Sequence, residues 1–543
     1  MRACASVPRF RAGLERAVER RQEAERRGRR VIPRNWMSVV LMTLLAGVAS
    51  PAQAEWAAYT STNFTVHSDA PESDVLELLG DFEEYRRVAL AVMGLTDEAE
   101  NQALRIVFPT RADDFRALGA RDNIAGFFYH AEFGPRIVIR GAASRRGVRA
   151  DDAAISDRRT LYHEYVHYLM DQKSGRNYPP WYSEGLATVL MMVDPAESII
   201  KVGLPLPNVY WRNVATTVEE IVDTDYRGGI GDFYLMSWLL THYLTIDAAD
   251  KPERRQQFAD YLRRYDAGED PVEAFTASFG HSMSDMQRAM EDYRGRRSLK
   301  VLQVPRSEYR GDVSKRALQP GEELYLLGDI AVELYASEAA LELFDEFDEE
   351  FADSPLRSKV LSRRAVAFAH EDDLEAGDAV VGDILAQNVD DGDIYADLAH
   401  YYHDRFQIQA RQEEVPPADA RANLEQSIRY GELAVARNAR DLEALFYLGR
   451  AYGFNGDHEA AARTLLRAFE QAPGVADINL ALARALYQMG NVGDATLLIA
   501  RNLSASHSEA SRQRYTDLLQ QMKDGEVGPE FLDPYPRVSA AAE

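Results

Sequence analysis

At 543 residues and 46% hydrophobic composition, the chain is too long for one ordinary core, and about 150 residues per domain gives three or four units. A formal charge of −25 disfavours nucleic acid and anionic membranes as partners and fits a well-solvated surface. The single cysteine, Cys4, excludes a disulfide scaffold.

Residues 1 to 36 hold eleven arginines and no lysine, against Glu15, Glu19, Glu23 and Glu25. This basic run leads into an apolar stretch of about twelve residues, Ser38 to Ala49, too short to anchor in a bilayer. Ala52-Gln53-Ala54 then reads as a cleavage site, so residues 1–54 are expected to be an export signal, with a mature chain from Glu55. Losing eleven positive and four negative charges takes the −25 of the chain to −32, and losing Cys4 leaves no thiolate for catalysis or zinc. No later apolar run reaches spanning length, which points to a bacterial periplasmic or secreted protein without a membrane span.

From Glu55 to Arg140, β-rich runs at Phe64–His67, Arg105–Phe108, Gly126–Tyr129 and Arg136–Arg140 surround a helical stretch, Ser73–Met93, and read as an α+β unit. Arg136–Arg140 alternates charged and apolar residues, as a sheet edge able to accept an extended peptide would. An ordinary half-buried strand explains the alternation equally well.

His163-Glu164-Tyr165-Val166-His167 follows. On a helix from Arg159 to Gln172, capped near Ser156 or Asp157 and stopped by Ser174, Gly175 and Asn177, positions four apart share a face, so both imidazoles can meet one ion. Glu164 is rotated about 100° from His163, better placed to hold a water beside the metal than to ligate it. Pro179 and Pro180 mark a turn into a second helix carrying Trp181-Tyr182-Ser183-Glu184-Gly185-Leu186-Ala187, and Glu184 suits the third ligand of a catalytic zinc site. A chance H-E-x-x-H is expected about once in fifty such chains, and the downstream motif makes coincidence rarer still. The competing account is a buried helix whose histidines only hydrogen-bond, or a fold that has kept the ligands without activity.

From Thr217 to Arg297 the pattern is helical, with amphipathic stretches at Asp232–Thr245, Arg254–Tyr265 and Met283–Tyr293. Beyond Pro320, Leu445, Leu448-Gly449, Tyr452, Gly456, Ala461, Leu465, Ala468 and Pro473 fall on the spacing of a tetratricopeptide unit starting near Leu442. The phase continues through Leu482-Ala483, Leu486, Gly490, Ala495 and Ile499, and about four to five repeats are expected. Gln409–Ala420 reads as an exposed insertion, the segment after Gly525 as a disordered tail, and the pair His400 and His403 as structural or solvent-facing.

The two zinc motifs and their surroundings, roughly Glu55 to Thr245, resemble the secreted gluzincin-like peptidases of the peptidase MA clan, a thermolysin-related group, especially the branch with C-terminal tetratricopeptide repeats. That resemblance implies an α+β gluzincin-type peptidase domain, a small mixed sheet plus helices, followed by an all-α tetratricopeptide solenoid. The divisions expected are 55–195 for the sheet and zinc helices, 196–310 for a helical peptidase subdomain, 311–525 for repeats and 526–543 for the tail. It makes His163, His167 and Glu184 the ligands of one zinc per chain and Glu164 the catalytic base, with Tyr234 or His242 as oxyanion-stabilising candidates. Such enzymes place an acidic residue one turn after the ligand glutamate to orient a histidine; here Thr188 stands there, and Asp171 is the candidate substitute.

The expectation is therefore an exported zinc peptidase acting on peptides or proteins, with repeats that recruit a substrate or a protein partner. The alternative is a catalytically silent envelope scaffold acting through its repeats.

Overall fold

The computed structural model describes residues 55–98, 103–111, 114, 118, 126–131, 134–139, 153–173, 176–195, 199–206, 215–223, 232–307, 309, 311–506 and 509–540. The expected export segment, residues 1–54, lies outside them, as do Arg140, Ser174 and Gly175.

Short alternating runs give strands β1 (Ala57–Thr60), β2 (Phe64–Ser68), β3 (Leu104–Phe108), β4 (Gly126–Ala131) and β5 (Gly134–Ile139). Three more, β6 (Val193–Pro195), β7 (Ile199–Val202) and β8 (Leu302–Pro305), form a separate antiparallel sheet in that order. The first sheet is completed by β9 (Ser314–Ala317) and runs β4-β5-β3-β2-β1-β9. In it β2, β3 and β5 are mutually parallel, whereas β4 and β9 pair antiparallel at its two edges.

The expected edge at Arg136–Arg140 is corrected here: β5 lies inside the sheet, and among the described residues the edge is β4, the Gly126 run, which pairs antiparallel along the outer side of β5. Residues alternate between faces along a strand, and the register Ile106 opposite Ile137 and Val107 opposite Val138 sorts them. Ile106 and Ile137 join the core beneath α1 (Glu72–Met93) and α2 (Ala153–Lys173). Val107 and Val138 face the other way, into the core of the helical repeats. The sheet is thus covered on both faces, by its own helices and by the C-terminal half.

Helix α2 starts earlier than its cap signals suggest. Ala153-Ala154 extends it ahead of Ser156 and Asp157, alanine being the best helix former. After α3 (Pro180–Met191) come α4 (Val218–Asp223), α5 (Phe233–Leu244), α6 (Pro252–Asp266), α7 (Pro271–Phe279) and α8 (Met283–Arg294). The stretch 196–310 is therefore helical in its middle but bounded by β7 and β8, and residue 311 is not the start of the repeats, since β9 still belongs to the first sheet.

Among the described residues five helical hairpins follow. They are α9 (Glu322–Glu333) with α10 (Ser337–Glu350), α11 (Arg357–His370) with α12 (Leu374–Ala386), and α13 (Gly392–Arg411) with α14 (Pro417–Arg437). Next are α15 (Leu442–Phe454) with α16 (His458–Gln471), α17 (Ala476–Gln488) with α18 (Val492–Ala505), and a last helix, α19 (Glu509–Asp524). Ala461 and Ala495 are fully buried, so paired helices approach closely. An ionic seam ties the hairpins to the sheet. Arg105 of β3 meets Asp329 at 2.9 Å, and Arg363, itself buried, reaches Asp329, Asp397 and Glu443 at 2.8, 2.9 and 2.9 Å.

Two further expectations are corrected. The supposed insertion Gln409–Ala420 is mostly helix, since α13 runs to Arg411 and Pro417 opens α14, where a proline without an N–H is tolerated. The tail is ordered: it forms α20 (Pro529–Leu532) and α21 (Pro536–Ala540), burying Phe531, Tyr535 and Val538 against the solenoid.

Candidate metal centre

Helix α2 is positioned by one apolar stripe. Tyr162, Tyr165, Val166 and Leu169, at helical spacing, lie in the core under the sheet, where Tyr165 packs on Phe64 and Tyr162 stacks on Tyr85 at 3.8 Å. The adjoining stripe of the same helix carries His163 and His167.

Helix α3 is set by its own motif. Trp181 is fully buried and donates from its indole to the Tyr261 hydroxyl at 3.2 Å, fixing α3 against α6. Gly185 fixes it against α5: a Cβ there would lie 2.2 Å from Thr241 Oγ1 and 2.4 Å from the Ser237 carbonyl. Only glycine lets the two helices come this close, and that approach places the neighbouring Glu184.

The outcome is a triangle. His163 Nε2 lies 3.2 Å from Glu184 Oε2 and 3.2 Å from His167 Nε2, and His167 Nε2 lies 3.3 Å from Glu184 Oε2. Zinc bonds of about 2.0–2.1 Å in tetrahedral geometry require ligand atoms about 3.3 Å apart, so the donor spacing fits that ion. Two imidazoles and a carboxylate are also a donor set of catalytic zinc. On the far side of His167, Nδ1 lies 3.1 Å from Ser183 Oγ, whose hydroxyl donates to the Met170 sulfur at 3.9 Å. With Ser183 donating onward, its oxygen accepts from Nδ1–H, which leaves the Nε2 lone pair of His167 directed at the triangle. His163 Nδ1 is buried and meets no hydrogen-bond partner among the described residues.

Glu164 is half-buried beside His163 and makes no hydrogen bond or ion pair among the described residues.

The remaining candidates lie elsewhere. His242 is fully buried, with Tyr293 Oη 2.7 Å from Nδ1 and the Gly203 carbonyl 2.9 Å from Nε2, so both nitrogens are engaged and burial lowers its pKa. It is a core histidine. Tyr234 is 46% exposed on α5, one turn before Ser237 on the helix that meets Gly185. Asp171 sits in the last turn of α2, where its main-chain carbonyl accepts from Arg501 of the solenoid. The bond orienting His167 comes from Ser183, a residue adjacent to Glu184 that spacing did not single out. Thr188 bonds the Glu184 carbonyl at 2.7 Å.

His400 finds company other than His403. With His370 and Asp404 it forms a second group whose ligand atoms lie within 4.8 Å of one another. His400 Nδ1 is 2.9 Å from Glu443 and Nε2 is 2.6 Å from the Tyr447 hydroxyl. Burial pushes the Asp404 carboxyl up, but the three surrounding histidines, His400 first, hold it well below the usual range. The partner His370 is thirty residues away in sequence, on a different hairpin, and only the His400–Asp404 spacing of four was legible.

Residues 454–521 match the family model of the tetratricopeptide repeat. That segment is built of tetratricopeptide repeats, and the hairpins before it are tetratricopeptide-like. A solved structure, that of a thermophilic TPR protein in Thermus thermophilus, is similar over 36% of this chain and 97% of its own, at 22% identity and a TM-score of 0.30. No curated protein matches the chain. The hairpins place their first helices, α11, α13, α15 and α17, side by side along one surface.

Proposed function

We propose that the protein is a tetratricopeptide interaction scaffold joined to a zinc-dependent peptidase centre, exported to the bacterial periplasm or beyond. The repeats support the scaffold role, since stacked hairpins offer an extended concave surface for a protein partner. The observation that carries the enzymatic part is the triangle of His163, His167 and Glu184 at 3.2–3.3 Å. Those three residues would hold one zinc per chain, which, when bound, supplies a Lewis acid that polarises a carbonyl and acidifies water. Glu164 is the proton carrier: its carboxylate, which has no partner among the described residues, takes a proton from the attacking water and passes it to the leaving amine. Ser183 holds His167 in the required tautomer, and Gly185 keeps Glu184 within reach. Peptide or protein is the substrate class, with edge strand β4 available to pair with an extended chain. Tyr234 is the remaining candidate for oxyanion stabilisation. Among the described residues no helix is long and apolar enough to cross a membrane.

A second reading, the catalytically silent scaffold, is favoured by the comparisons, whose family match falls within the repeats. Incubating the purified protein and Glu164→Gln with a mixed peptide library separates the two. Cleavage by the wild type alone supports the peptidase, whereas zinc binding by both without cleavage supports the scaffold.

A further inference from the structure

His370 closes α11, and His400 and Asp404 lie four apart on one face of α13, the first helix of the next hairpin. Their contacts converge on one atom: Asp404 Oδ2 lies 3.5 Å from His370 Nε2 and 3.2 Å from His400 Nε2. Tetrahedral zinc spaces its ligand atoms about 3.3 Å apart, and two imidazoles with a carboxylate repeat the donor set of His163, His167 and Glu184. The His370 side chain is 6% exposed, yet neither ring nitrogen finds a hydrogen-bond partner among the described residues, and the 3.5 Å contact with Asp404 does not serve as one. A buried imidazole left in that state costs free energy that an ion at Nε2 recovers.

Both histidines are oriented from outside the group. Tyr335 stacks on His370, with ring centres 4.5 Å apart. Glu443 of α15 lies 2.9 Å from His400 Nδ1 and 2.9 Å from Arg363, and a carboxylate beside a guanidinium accepts from Nδ1–H. That leaves the Nε2 lone pair of His400 facing Asp404, the carboxylate–histidine arrangement that serves metal ligands. The Tyr447 hydroxyl, 2.6 Å from Nε2, donates to that lone pair and is the competitor an ion has to displace. Asp404 and Tyr447 line a cavity of about 500 Å³, which gives an ion a way in and room for a water as fourth ligand. Arg450 stands on the same wall and opposes added positive charge.

We propose that His370, His400 and Asp404 form a second, weaker zinc site, which clamps the second hairpin of the solenoid to the third. Mixed nitrogen and oxygen donors suit zinc and its late first-row neighbours, whereas magnesium and calcium take oxygen. Displacing Tyr447 and tolerating Arg450 both lower the affinity, so a weak chelator that spares the first centre removes this ion. The site lies wholly within the repeats and does not depend on His163, His167 and Glu184 holding a metal.

The test titrates zinc chloride by calorimetry, in chelator-free buffer, into the untagged full mature-length protein carrying Glu184→Ala, which disables the first centre, with magnesium chloride as the contrast. One zinc is to bind per chain and to raise the melting temperature, and His370→Gln or Asp404→Asn is to weaken binding at least about tenfold. His370 has no hydrogen bond to lose among the described residues, so His370→Gln keeps the zinc-free melting temperature. Tyr447→Phe removes the competing hydroxyl and is to tighten zinc binding about three- to tenfold, a gain that a merely structural histidine cluster does not show. If Glu184→Ala fails to fold, the wild type serves, and the weaker of its two binding events is to vanish in His370→Gln. A single wild-type event abolished by His370→Gln supports this site and counts against the first centre, whereas a single event untouched by it overturns this site alone. No zinc binding in Glu184→Ala, zinc binding there unaffected by His370→Gln, or equal binding of magnesium overturns the proposal.

Discussion

Arg501, on the fifth hairpin, donates a hydrogen bond to the main-chain carbonyl of Asp171, four residues beyond His167 on the helix that bears the histidine pair. A cation at a helix C-terminus satisfies an orphan carbonyl and complements the helix dipole. The loop before α17 closes on the same spot, since a Cβ on Gly474 would lie 2.8 Å from Gln172 Nε2 and 3.1 Å from Asp171 Cβ. The helix of the histidine pair therefore ends on the solenoid. Arg501→Ala is expected to cost about 1 kcal/mol and to speed amide hydrogen exchange in the last turn of α2. Unchanged exchange there would show the contact to be incidental.

Gly185 makes a second expectation concrete. Gly185→Ala forces a methyl into space held by Thr241 Oγ1 and the Ser237 carbonyl, and since backbone cannot yield as a side-chain tip does, α3 must move away from α5. Overpacking of this kind costs about 1–3 kcal/mol. Because Glu184 travels with α3, metal affinity is to fall alongside the melting temperature. Full metal affinity in a destabilised variant would show that Glu184 is not held by this contact.

Arg363 pairs with three acidic side chains from three different helices, Asp329, Asp397 and Glu443. Removing one partner of a buried ion cluster leaves the others uncompensated, at about 3–5 kcal/mol. Arg363→Met should therefore lower the urea midpoint of the repeats strongly, and Arg363→Met combined with Asp397→Asn should recover part of the loss. Additive losses in the double variant would contradict the coupling.

Much of this was readable from sequence, and the failures share a cause. The histidine pair, the turn at Pro179 and the start of α15 at Leu442 rest on spacing within one or two helices, and helical periodicity reports that faithfully. Ser183, the edge strand β4 and the ordered tail depend on contacts between distant segments. Tyr535 donates to Gln407, 128 residues away, and nothing local to the proline-bearing tail announces that its aromatic residues will be covered. Arg484, likewise, looks like any surface arginine until the tail closes over it.

Two histidines, His403 fully buried and His67 half-buried, predict the acid side of the stability curve. Burial lowers His67 to about 4, with Arg105 assisting, and His403 to about 3, with Arg450 assisting. Both folded values lie below the unfolded value near 6.5, so the unfolded chain binds more protons between them and stability is lost as pH falls through that window. At about 1.4 kcal/mol per pH unit for each group, going from pH 6.5 to 5 costs roughly 2 kcal/mol per histidine. Urea midpoints at pH 7.5, 6 and 5 should fall in that order, less steeply in His67→Gln. A midpoint flat down to pH 5 would contradict these histidines being buried in the neutral form.

Everything proposed for the enzymatic half depends on His163, His167 and Glu184 holding one ion together, which metal content per chain reads out without any substrate. Elemental analysis of the purified protein after dialysis with zinc and a weak chelator should find one zinc per chain in the wild type and in Glu164→Gln. His163→Ala and Glu184→Ala should hold close to none. Stoichiometric zinc that survives both ligand substitutions, or a wild type that retains none, would rule this metal centre out.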